Sequence, residues 1–106
     1  MIIDIDLTGE HAATQLLEPE DCKRFHVAVK GGDVEVLAAV LPAHDLGQVL
    51  PSGDALIEVG AVRRLAAGRV PNGWEEDFAA MVGYAKSKGW FDEEHDAIQA
   101  HIEWAD

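Results

Sequence analysis

The chain has 106 residues, 48% of them hydrophobic, and sets 8 Lys and Arg against 20 Asp and Glu for a formal net charge of −12. That length supports one domain, 1–106, with a modest core, and the charge argues against nucleic-acid backbone or an anionic membrane as partner, since both would be repelled. No apolar run approaches the roughly 18 residues of a membrane span, the leading MIIDIDL carries acids where an export signal carries bases, and the lone Cys22 has no disulfide or CxxC partner, so a cytoplasmic protein with no cofactor is expected.

In residues 1–7, Ile3, Ile5 and Leu7 alternate with Asp4 and Asp6, the period of a half-buried strand. Thr8 to Leu17 predicts a short helix capped by Thr8, with a slight apolar face of Ala12, Ala13, Leu16 and Leu17. After a turn at Pro19–Asp21, Arg24 to Lys30 reads as a second strand, with Phe25, Val27 and Val29 inward and Arg24, His26, Ala28 and Lys30 outward. Gly31 and Gly32 turn the chain, and Asp33 caps a helix that ends by Pro42 and buries Val34, Leu37, Ala38 and Leu41. Such a turn could cradle a phosphate. Asp33 and Glu35 stand where the anion would go, however, and neither GxGxxG nor GxxxxGK[ST] is present, which leaves a simple turn.

Residues 48–59 predict a hairpin with PSGD at its tip. A short helix over 61–67 follows, burying Val62, Leu65 and Ala66 and exposing Arg63 and Arg64, with Gly68 as its stop. The stretch from Asn72 to Trp90 carries the strongest signal. Asn72 and Glu75 suit a capping box, Glu75, Glu76 and Asp77 complement the first turn and Lys86 and Lys88 the last, and Gly89 suits a left-handed C′ with Trp90 folding back. Trp74, Phe78, Met81, Val82 and Ala85 share one face, best read as core. An acidic loop, DEEHD, then leads to a last strand, AIQAHIEW, with Ile98, Ala100, Ile102 and Trp104 inward and Gln99, His101 and Glu103 outward. Alternating strands separated by helices imply an α+β fold: a two-layer sandwich of about five short, mostly antiparallel strands with helices on one face.

The run ALIEVGAVRRLAAGRVPNGWEEDFAAMVGYAKSKGW, with AIQAHIEW after it, resembles a group of short actinobacterial hypothetical proteins across about the C-terminal half, and more loosely over RFHVAVKGG. The resemblance implies a bacterial cytoplasmic protein and carries no catalytic residue over.

The exposed sheet face would collect Asp4, Asp6, Arg24, His26, Lys30, Gln99, His101 and Glu103. If the first, second and last strands are neighbours, His26 and His101 could share a metal ion, with Asp4, Asp6 or Glu103 as third ligand, or act as general acid and base. The alternative is a solvated face. Asp92, Glu94, Asp96 and Glu103 fall at positions one, three, five and twelve of a calcium loop, but Ala97 stands where that loop needs glycine. Arg63, Arg64 and Arg69 form the one basic cluster, able to dock an acidic partner or to balance nearby acids. No GxSxG occurs, and Cys22 with His26 four residues on does not establish a thiol dyad. A complete folding signal without a catalytic one favours a protein–protein interaction or regulatory module, with an edge strand as a route to a homodimer. The rivals are the small metal or acid–base site at His26 and His101, and an acidic DNA mimic or inhibitor of a basic partner. The scatter of the acids suits simple solubility better than mimicry.

Overall fold

The computed structural model describes residues 1–105, and the alternation at the start of the chain is a strand. In β1 (Ile2–Asp6), Ile3 and Ile5 are fully buried while Asp4 and Asp6 face outward. The segment expected to be helical pairs with it instead: β2 (Ala13–Leu17) runs antiparallel to β1, with Ile3 opposite Leu16 and Ile5 opposite Thr14. The apolar residues of this segment could not cover much of a helix, whereas pairing with β1 buries Leu16 completely and satisfies the facing backbone groups of both strands. On the other edge of β1 lies β3 (His26–Lys30), parallel to it, with Val27 and Val29 buried.

Helix α1 (Val34–Ala43) starts where expected. The Asp33 carboxylate accepts the Val36 amide at 3.0 Å, and Leu37 and Leu41 are buried, while Val34 and Ala38 remain exposed. The hairpin forms as β4 (Gly47–Val49) and β5 (Ala55–Glu58), which feeds directly into α2 (Val59–Ala66).

Helix α3 (Trp74–Ser87) has its cap one residue later than the predicted Asn72. Gly73, at φ +92°, is the N-cap and no side chain caps the helix, so the Asn72 capping box is not built. Burial of Trp74 sets the start instead, its indole Nε1 donating to the Pro19 carbonyl at 2.6 Å. The C-terminus matches the expectation closely. Gly89 is left-handed, its amide donates to Lys86 O at 3.2 Å, and the Trp90 amide donates to Ala85 O at 2.9 Å. These are the two bonds of a Schellman motif, and Trp90 returns edge-on to Tyr84 with ring centroids 6.0 Å apart.

The AIQAHIEW stretch is two strands rather than one. After β6 (Phe91–Asp92), β7 (Ala97–Ala100) lies between β5 and β6, and β8 (Ile102–Ala105) pairs in parallel with β3. The fold is therefore α+β with eight strands in two four-stranded sheets, ordered β2-β1-β3-β8 and β4-β5-β7-β6. Four of the six pairings are antiparallel. Helix α1 packs on β4, α2 touches both β2 and β5, and α3 packs on β6 and β7. One core runs through both sheets, from Ile3, Ile5, Val27 and Val29 to Ile57, Val62 and Phe78. Trp104 is on the inward side of β8, aligned with Val29, but that strand is an edge and the indole stays 42% exposed.

Candidate functional site

Two surfaces hold side chains capable of recognition. The first is the polar face of the sheet β2-β1-β3-β8. Parallel register places Glu103 beside Ala28, and the Val27 amide donates to His101 O at 3.0 Å, so His26 and His101 stand side by side. Their rings stack with centroids 5.7 Å apart and planes 24° from parallel. Glu103 lies against both: Oε2 is 3.3 Å from His26 Nε2, and Oε1 is 3.2 Å from His101 Nε2. The adjacency that the sequence left open is thus present, with one carboxylate between two imidazoles.

The remaining carboxylate candidates on that face, Asp4 and Asp6, are engaged elsewhere. Asp4 accepts from Gln15 Nε2 at 3.1 Å, away from β3. Asp6 accepts the Thr8 amide and hydroxyl, which hold its carboxyl below the usual range. Gln99 belongs to the other sheet, where its side chain donates to Asp54 Oδ2 at 2.9 Å, and Arg24 precedes β3 altogether. A single continuous last strand would have carried Gln99 onto the histidine face; the break at His101 separates them.

The second surface is a groove of about 610 Å³ between residues 20–25 and α3. Its outer wall is positioned by long-range contacts: the Met1 amine donates to the carbonyls of Asp21 and Arg24 at 2.9 and 3.0 Å, and Trp74 anchors Pro19. Met81, Ala85 and Ile98 supply an apolar floor, Phe25 an apolar side, and Tyr84 and Trp90 aromatic flanks. Glu20, Asp21 and Asp77 stand on the rim with Lys23 and Arg24. Cys22 also lines it, but burial, with Asp77 adding, pushes its thiol above the ordinary value, which disfavours the nucleophilic thiolate. Only the exposed Tyr84 and Trp90, at opposite ends of a Schellman turn, signal this groove in the sequence. Its other wall is a loop whose position depends on contacts distant along the chain.

The three arginines of the basic cluster are exposed and each makes a contact within the fold. Arg63 Nε donates to both Glu75 oxygens at 3.1 and 3.2 Å and its guanidinium lies over Phe78. Arg64 donates to the carbonyls of His44 and Asp45 at the end of α1, and Arg69 reaches Leu65 O at 3.5 Å. The acidic loop is a turn in which Asp92 accepts the His95 amide and pairs with His95 Nδ1 at 3.0 Å. No helix among the described residues is long and apolar enough to cross a membrane. No family model matches this chain, and neither a curated protein nor a solved structure does.

Proposed function

We propose that this protein is a non-enzymatic binding module that seats a short segment of a partner protein in the groove between residues 20–25 and α3. The observation that carries this reading is the groove itself, an apolar floor flanked by Tyr84 and Trp90, two large aromatic side chains left 58% and 46% exposed. Aromatic groups around an apolar depression are the usual anchors of a protein interface. The segment that fits places a large apolar side chain over Met81 and Ile98 and carries Lys or Arg beside it. Three rim acids, Glu20, Asp21 and Asp77, against two rim bases, in a chain of net charge −12, favour a basic ligand and steer its approach.

Ala80 and Ala79 provide a matched test, because both are exposed residues of α3 and only Ala80 lines the groove. Peptides selected from a displayed library on the wild type should combine an apolar anchor with basic neighbours. Ala80→Arg should weaken them by at least about tenfold, the effect of losing a hot-spot contact, and Ala79→Arg should not. Peptides that bind both variants equally, or a library that yields no binder, would overturn the proposal.

A further inference from the structure

The geometry points to a second site, independent of the groove: His26, His101 and Glu103 form a three-ligand site for a divalent transition metal such as zinc. Two neutral imidazoles and a carboxylate are a donor set suited to such an ion, and three protein ligands leave a fourth position for water or a small ligand. Both Nε2 atoms already face the Glu103 carboxylate, at 3.3 and 3.2 Å. The parallel pairing of β3 with β8 holds the two backbones in the register that makes this possible.

The ligands differ in freedom. The His26 side chain is 21% exposed and anchored in a strand with neighbours on both sides, while His101 and Glu103 are 61% and 58% exposed. Zinc–nitrogen bonds of about 2.0–2.1 Å need the two nitrogens within about 4 Å of each other. The metal therefore closes the site by rotating His101 and Glu103 toward the fixed His26, displacing the Glu103 contacts that now hold both rings. Among the described residues, Asp92, Glu94 and His95 are the set that already brings one ligand atom each within 4.8 Å. That set offers one imidazole only, and its Asp92 oxygens are committed to the turn. Two imidazoles favour the sheet face for zinc, so the two places compete directly and can be told apart.

Zinc titrated into the full chain should bind at one equivalent, and cobalt in its place should give visible absorption bands of a low-coordinate nitrogen and oxygen site. The His26→Ala, His101→Ala double variant should lose at least about 100-fold in affinity, since even outer-shell partners of a metal contribute 10–100-fold, while His95→Ala should change nothing. Equal binding by the wild type and the double variant, or loss confined to His95→Ala, would overturn the site. Should the double variant fail to fold, nitrogen-15 spectra of the wild-type imidazoles decide: Nε2 of both His26 and His101 must shift on adding zinc, and unmoved signals reject the assignment.

Discussion

The two sheets solve the same burial problem differently. In β2-β1-β3-β8 the two central strands keep strict alternation, burying Ile3, Ile5, Val27 and Val29 on one face and leaving acids and a histidine on the other. In β4-β5-β7-β6, the central strands are enclosed nearly throughout: Ala55, Leu56 and Ile57 are consecutive buried residues in β5, as are Ala97 and Ile98 in β7. A one-sided sheet displays polar chemistry, whereas a sheet with enclosed central strands offers mainly apolar packing, as Ile98 does at the groove floor. The histidine pair consequently belongs to the first sheet, and the second serves as a platform beneath the groove.

Substitutions at matched depths should separate the two roles. The largest effect is expected at Ile57, fully buried in β5. Ile57→Ala should cost about 2–5 kcal/mol in urea unfolding, through lost transfer energy and the cavity left behind. A loss below about 1 kcal/mol would mean that the second sheet is not the rigid member. Trp104→Ala, at the open edge of the first sheet, removes a larger side chain that is only partly buried. It should cost about 1–2 kcal/mol, below the roughly 3–5 typical of a fully buried Trp; a cost in that higher range would show that the edge is closed in solution, as by a second copy.

The smallest expected effect concerns the turn that joins β6 to β7. The hydrogen bond from His95 holds the Asp92 carboxyl below its ordinary value, and the same contact raises His95 above its own. The aspartate contribution to stability is complete above its unfolded pKa of about 3.9 and fades as pH falls through the depressed folded value. The histidine contribution is complete below about 6.5 and fades as pH rises through the raised folded value. The pair thus supports folding most between about pH 4 and 6.5. Both groups are exposed and screened, so the curvature is slight. It should vanish in His95→Ala when denaturation midpoints are compared across roughly pH 3–8, a range that spans both titrations, and identical profiles would remove the pair from the balance.

Local signals and long-range pairing divide what the residues alone reveal. The Asp33 cap, the PSGD hairpin and the Gly89 stop each depend on a few adjacent residues, and each is present in the fold. Alternation likewise puts His26 and His101 on the polar face, but their proximity depends on β8 lying beside β3, which the residues leave undecided. Residues 13–17 form a strand because β1 offers an edge, a fact absent from their own pattern. The division of AIQAHIEW between two sheets is hidden for a similar reason. Its alternation continues almost unbroken through His101, and only the positions of β5 and β3 determine where the chain changes partner.

That change of partner also governs when the molecule can assemble. β7 is the strand between β5 and β6, and β8 adds to β3 from the far side of the sequence, so residues 97–105 complete both sheets at once. A chain emerging from the ribosome can form its helices and the β4–β5 hairpin early, but neither sheet reaches its final order until this segment has left the exit tunnel. Closing Val27 against Ile102 then costs the entropy of the long loop between them, a contact of high sequence separation of the kind that slows folding. Until that moment β5 exposes an unpaired apolar edge, and the nascent protein is at its most prone to aggregation.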